Sequence, residues 1–267
     1  MATKRDGISN RLFMMKEKIL HKLNNQKGHV GFWFKNMITG EEWGFNENDE
    51  FLAASVIKLP MFMYLSKLNA EGRISMEEMI KPREEDRVPI CGALTLFRKL
   101  PEVSIGTLCN LMISLSDNMA INLLIDRLGI EEYQKGFKEM GLEGTVLRRK
   151  LFDEEASAEG VQNTIVPGEM GMLLEQIYRR EFVNPKVSEE IEDVLCLQQI
   201  EHKICGRIRW NYRVAHKTGE DDNISNDVGL VYGPQPFVVC FVGNDLPIVD
   251  WEDFIRRTVE ELVVYCS

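Results

Sequence analysis

From Asn10 to Leu23 the apolar residues Leu12, Met15, Ile19, Leu20 and Leu23 return at steps of 3, 4, 1 and 3, which predicts one face of an amphipathic helix. The polar run Asn24-Asn25-Gln26-Lys27-Gly28 ends it. His29 to Lys35 is rich in aromatic and β-branched residues, Thr39-Gly40 reads as a turn, and Glu42 to Asn46 alternates through Trp43 and Phe45, so a β-hairpin follows. A helical pattern then runs from Ser55 to Leu68, and a polar loop from about Lys81 to Gly92. Another helical pattern, dense in Leu, Met and Ile, extends from Ser104 to Leu128 and is interrupted only by Ser116-Asp117-Asn118. Gly129, Gly141 and Gly144 punctuate short helices. Between Gly144 and Pro167 the chain is charged and aperiodic, which reads as a structured loop, and long loops inside compact domains are usually functional. Pro167 opens a helix through Ile177, and Ser188 is expected to cap another whose body is Glu189 to Leu197. Strands return at Arg213 to Thr218, Asn226 to Tyr232 and Phe237 to Asn244, before a last helix from Trp251 to Tyr265.

Strands at both ends and helices between them predict an α/β (α+β) fold, an antiparallel sheet flanked by terminal helices with a helical insertion. The expected division is an α/β domain from 1–50 and 200–267, and an all-α domain over 51–199. A length of 267 residues suffices for a sizeable core without disulfide or metal staples. The formal net charge of −10 argues against phosphate-backbone binding, so nucleic acid is not an expected partner. The N-terminal apolar run Leu12-Phe13-Met14-Met15 is cut short by Lys16-Glu17-Lys18, whereas a secretory signal needs about 7–15 apolar residues in a row. As it stands the chain reads as cytoplasmic, and as exported if a leader has been removed; no membrane span is expected. Six cysteines without a C-x-x-C pair read as reduced structural thiols, and the four histidines lack ligand spacing, so neither metal nor cofactor is expected.

Three short motifs carry candidate chemistry. Ser55-Val56-Ile57-Lys58 is the only S-x-x-K, and at i and i+3 on a helix its serine and lysine share a face. Alone it is weak, because about one such match arises by chance in a chain of this length. Ser116-Asp117-Asn118 places three polar residues inside an apolar helical pattern, where each unsatisfied buried group costs about 1–3 kcal/mol. They must find partners, border a cleft or supply a helix N-cap. Lys217-Thr218-Gly219 stands at the end of a predicted strand near the sheet edge. Each tripeptide has a chance frequency on the order of 5%, and their order and spacing reduce it further.

Together, with 61 residues from Ser55 to Ser116 and 101 from Ser116 to Lys217, the trio resembles the class A serine β-lactamases and penicillin-binding proteins. The resemblance extends from the hairpin at His29 to the last helix. It implies an all-α domain beside an α/β domain, with the site in the cleft between them. In that setting Ser55 is the nucleophile, and Lys58 removes its proton if burial and the neighbouring Lys217 depress the lysine pKa. Ser116 relays a proton to the departing β-lactam nitrogen, Asn118 binds the substrate's side-chain amide, and Lys217 with Thr218 holds its carboxylate. The similarity implies an oxyanion hole from the backbone N–H groups of Ser55 and Glu220. Gly219 allows the strand a close approach to substrate.

The resemblance lapses in one place. Class A enzymes carry a deacylating glutamate in an E-x-x-L-N pattern before T-x-x-P, and this chain has none; that glutamate's place falls near Lys150 or Leu151. Asp153, Glu154 and Glu155 are the carboxylates within reach of a rearranged loop. Glu154 is preferred, Asp153 being expected to brace Arg148 or Arg149 and Glu155 to face solvent. Glu220 brings a negative charge beside the carboxylate-binding motif unless strand alternation turns it away. The leading reading is a hydrolase opening β-lactams, or a related amide or ester, through an acyl-enzyme on Ser55. A penicillin-binding protein with very slow turnover comes second. A Ser-His-Asp hydrolase comes third, since there is no G-x-S-x-G elbow.

Overall fold

The computed structural model describes residues 14–89 and 91–267. The predicted first helix is seen over 14–24 (α1), and its expected start at Asn10 lies outside the described residues. The hairpin forms as β1 (His29–Asn36) and β2 (Glu42–Phe45). With β7 (Val214–Asp221), β8 (Ile224–Val231) and β9 (Phe237–Asn244) it makes one antiparallel sheet in the order β2-β1-β9-β8-β7. The first and last parts of the chain thus pair through β1 and β9, with Phe32 opposite Phe241 and Trp33 opposite Cys240.

Strand alternation divides the interior in two. Phe32, Phe34, Val239 and Phe241 point to one face, where α1 and α9 (Ile248–Tyr265) cover them with Ile19, Leu23, Trp251, Ile255 and Leu262. Trp33, Val228, Val238, Cys240 and Val242 point to the other, against the helical layer. That layer is built around α2 (Lys58–Ala70), which is buried nearly all round, as a helix apolar on every side must be. Around it lie α3 (Ile105–Ser114), α4 (Asn118–Leu128), α5 (Ile130–Glu139), α7 (Pro167–Arg179) and α8 (Pro185–Leu195). A short α6 (Glu154–Ala158) lies within the aperiodic loop.

Four details differ from the sequence reading. The helix expected from Ser104 to Leu128 is two helices, because Ser116 takes a left-handed φ of +54° and Asp117 starts a new helix as its N-cap. The cap of α8 is Asn184, followed by Pro185, and Ser188 sits one turn inside with its Oγ donating to the Phe182 carbonyl. An Asn-Pro start satisfies the first turn without Ser188. Strand β7 continues three residues beyond Thr218 and turns tightly into β8, so the lysine motif lies inside a strand rather than at its end. Within 51–199, expected to be all helical, the two-residue strands β3 (Phe51–Leu52) and β6 (Thr164–Ile165) pair, as do β4 (Met79–Ile80) and β5 (Val103–Ser104). All six cysteines are free thiols. Among the described residues no helix is long and apolar enough to cross a membrane.

Candidate active site

The serine motif begins on a strained turn. β3 leads into a 3-10 turn, Ala54–Ile57, that runs straight into α2, and Ala54 adopts a φ of +41°. Ser55 is thereby held at the front of a central helix, and Lys58, one turn on, is fully buried beneath it. Lys58 Nζ lies 2.8 Å from Ser55 Oγ, 2.8 Å from the Ser116 carbonyl, 2.8 Å from Asn118 Oδ1 and 3.1 Å from Ser116 Oγ. Burial, and then the nearby Lys217 ammonium, hold its pKa well below the ordinary lysine value.

The second motif is delivered by the break between α3 and α4. The left-handed Ser116 turns its hydroxyl between the two lysines, 3.1 Å from each Nζ. Asp117 faces away from them: its Oδ1 accepts from Ala120 N–H and its Oδ2 from Ala93 and Leu94 N–H, pinning the loop before α3 to the start of α4. Asn118, first residue of α4, donates its N–H to the Cys91 carbonyl. The bland alternative, a helix cap, holds for Asp117, while Ser116 and Asn118 bond to Lys58.

The third motif comes from the edge strand β7. Lys217 is fully buried; its Nζ also donates to the Thr218 carbonyl at 2.8 Å. Burial, with Lys203 as the next cause, brings its pKa down to about 7. Gly219 packs against the serine turn itself: a Cβ there would stand 3.0 Å from Ala53 O and Val56 N and 3.1 Å from Ser55 N. The close approach expected toward substrate is therefore an approach to the Ser55 backbone. This brings the strand leading to Glu220 alongside the Ser55 N–H. The Glu220 carboxylate pairs with Lys203 Nζ at 2.9 Å and His202 Nε2 at 3.3 Å, although the residue still borders the cavity of Ser55.

Lys203 is a residue that local sequence reasoning misses. It is wholly buried, 14 positions before Lys217, and reaches the Gly219 carbonyl and Ser225 Oγ as well as Glu220. His202, Glu220 and Glu252 bring possible metal-ligand atoms within 4.8 Å of one another, a grouping their sequence positions do not suggest. With Lys203 already paired to Glu220, the cluster forms an ion-pair network, in which hydrogen bonding to Glu252 raises the His202 pKa. His216 also finds a carboxylate, Asp227 at 2.9 Å, but its other nitrogen faces Cys205 Sγ at 3.3 Å. The only histidine of the lysine motif thus points away from Ser55, which removes the base from a Ser-His-Asp reading.

The aperiodic loop closes the site. Asn163 Oδ1 accepts from Arg148 and Arg149 N–H while its carbonyl accepts from Ala53 N–H, tying the loop to the serine turn. Asn122 grips Leu151 on both backbone groups, its Oδ1 accepting from Leu151 N–H and its Nδ2 donating to the Leu151 carbonyl. Asn122 follows Asn118 by one turn on the same face of α4, a signal that i, i+4 spacing offered. Lys150 pairs with Asp126, so neither residue at the expected glutamate position presents a carboxylate. Asp153 caps α6 by accepting from Ala156 N–H and does not brace Arg148 or Arg149, which bond to backbone carbonyls and to Thr164 and Gln162. Glu154 opens α6 and is exposed. It lines, with Ser55, Asn118, Arg149, Phe152 and Glu220, a cavity of about 280 Å³. Glu155 is exposed and lies outside that lining.

Between the edge strand and the helical layer, a serine thus stands beside a buried lysine whose pKa is lowered, the pairing of nucleophile and adjacent base that nucleophilic catalysis uses. Residues 14–252 match the β-lactamase enzyme family, and the chain belongs to that family. A β-lactamase of Rhodobacter capsulatus is 27% identical over 177 residues, a match covering 64% of this chain and 59% of that protein's length. Among solved structures, PBP-A is 27% identical with a TM-score of 0.84, covering 94% of each chain. A mutant of PBP-A, 26% identical with a TM-score of 0.83 over 95% of each chain, is an acyl-enzyme complex with penicillin G. An ancestral class A β-lactamase shares the fold, with 21% identity and a TM-score of 0.84 over 94% of this chain and 99% of its own.

Proposed function

We propose that the protein is acylated on Ser55 by β-lactams, or by a related amide or ester, and releases the acyl group slowly. The observation that carries this is the Lys58 amine 2.8 Å from Ser55 Oγ in a fully buried setting that lowers its pKa. As a neutral amine, Lys58 donates its two protons to the Ser116 carbonyl and Asn118 Oδ1, which leaves its lone pair for the Ser55 hydroxyl. It takes the Ser55 proton as Oγ attacks the carbonyl carbon. The C–N bond of the ring then breaks, and Ser116, between Lys58 and Lys217, gives its hydroxyl proton to the departing nitrogen and takes back from Lys58 the proton removed from Ser55. Lys217 and Thr218 hold the substrate carboxylate, Asn118 its side-chain amide, and the N–H groups of Ser55 and Glu220 its developing oxyanion. The penicillin acyl-enzyme of the PBP-A mutant supports the acylation half.

For hydrolysis of the ester Glu154 is the preferred base, by its place on the cavity rim. Leu151, clamped where a class A glutamate is expected, favours a second reading in which the protein accepts acyl groups and barely turns over. A general base is typically worth 10²–10⁴ in rate, enough to separate the two. Incubation with benzylpenicillin followed by intact-mass measurement is expected to show a single adduct that Ser55→Ala abolishes without loss of fold. Glu154→Gln is expected to prolong it. Labelled Ser55→Ala protein would remove the assignment, and fast turnover of a chromogenic cephalosporin unaffected by neutralising Asp153, Glu154 and Glu155 in turn would place the base elsewhere.

A further inference from the structure

Phe152 holds a φ of +61°, in the left-handed region where a bulky side chain is a genuine outlier. The residues on either side fix it there: Leu151 by both of its backbone hydrogen bonds to Asn122, and Asp153 by capping α6. Glycine would take this backbone without strain, so conformational preference does not account for a phenylalanine. Packing does not account for it either. The ring is 44% exposed and belongs to neither hydrophobic core, whereas its neighbour Leu151 packs on the helical one. Strain persists where surrounding structure over-determines it and a site uses it. What Phe152 does border is the cavity of Ser55, together with Leu151, Leu52 and Ile224.

We propose that Phe152 is a specificity-determining residue, whose ring forms with Leu151 the apolar wall that receives the acyl group of the substrate and selects aromatic or bulky apolar acyl groups. The assignment rests on Ser55 being the acylated nucleophile. The ring acts on binding of the group next to the reacting carbonyl and takes no part in proton transfer.

Two penicillins with the same ring nucleus test it: benzylpenicillin, which carries a phenylacetyl group, and 6-aminopenicillanic acid, which carries none. Second-order acylation constants are read by intact mass for the wild type, Phe152→Gly and Phe152→Leu, with a thermal melt of each. The wild type is expected to favour benzylpenicillin by at least about tenfold, within the range an apolar pocket supplies. Phe152→Gly should lower the benzylpenicillin constant by about that factor and leave the 6-aminopenicillanic acid constant unchanged, with a melting temperature equal to or above that of the wild type. Phe152→Leu should restore part of the preference. Equal constants for the two penicillins in wild type and variant, with acylation intact, would overturn this inference and leave the Ser55 reading standing. A Phe152→Gly protein that melts lower and loses both constants equally would make the ring a structural prop and also overturn it. Absence of any adduct on Ser55 would end both.

Discussion

Lys58 and Lys217 are both wholly buried, share the Ser116 hydroxyl and repel one another, so the chemistry of the site is governed by which of them is charged. Lys58 must be neutral to take a proton, and Lys217 must be charged to hold a carboxylate. Acylation by a carboxylate-bearing β-lactam should therefore rise with pH as Lys58 loses its proton and fall again as pH passes about 7, where Lys217 loses its own. Lys217→Ala removes the positive neighbour, which lets the Lys58 pKa rise and moves the ascending limb to higher pH while weakening carboxylate binding. A profile that stays flat from pH 5 to 9, or one unmoved by Lys217→Ala, would dissociate the two lysines. At this scale the sequence was informative, because S-x-x-K spacing on a helix already puts Lys58 beside Ser55. Lys203 was not, since its partners Glu220 and Ser225 belong to strands that follow it and nothing local marks a lysine for burial.

The elements matter through the backbone junctions that bring them together. The one at the site is Gly219 of β7 against the serine turn, where the atoms a Cβ would meet at 3.0 to 3.1 Å are all backbone and cannot swing aside. Gly219→Ala is expected to push the strand off the turn, cost about 1–3 kcal/mol of stability and slow acylation by at least about tenfold, because the two oxyanion donors would no longer converge. Stopped-flow acylation and a thermal melt would read both effects; a variant with unchanged acylation would show that the oxyanion is held by other groups. Periodicity located the longer helices and the five strands of the main sheet, but it passed over α6 and the two-residue strands β3 to β6, and it ran α3 and α4 together, because the residues flanking Ser116 are apolar in helical register on both sides. Only the loop held by Asp117 explains why the chain breaks there.

Across the whole molecule the sheet is a wall with a core on each face, and its edge strand β7 is the part that meets the helical layer at the site. Assembling the site costs stability, since burying Lys58 and Lys217 depresses pKa values that return to the ordinary lysine value when the chain unfolds. The unfolded chain thus binds more protons from about pH 7 to pH 10.5, so the penalty of Lys217 is fully present below about 7 and is relieved as pH rises across that window. Lys58→Met is accordingly expected to raise stability at pH 7 by about 1–4 kcal/mol while abolishing efficient acylation, a loss of function with a gain in denaturation midpoint. A Lys58→Met protein less stable than the parent at pH 7 would mean that the lysine's hydrogen bonds outweigh its burial.

The sequence by itself determined the architecture and the three motifs that the fold brings together, because a period of two or 3.6 decides which face of an element is buried and a trio of motifs in fixed order is rare by chance. It left open everything set by contacts between residues distant along the chain. That the loop after Gly144 offers Lys150 or Leu151 where a glutamate is expected could be counted, but that Asn122 clamps the leucine, and that Phe152 is held in a left-handed turn bordering the cavity of Ser55, depended on how α4 and the loop pack together. Likewise Glu220 could be named as a charge beside the lysine motif, while its direction, onto Lys203 at 2.9 Å, was decided only by the folded chain around β7. Which charged side chains are buried and which of them pair are properties of the assembled structure, and no local pattern of residue types encodes them.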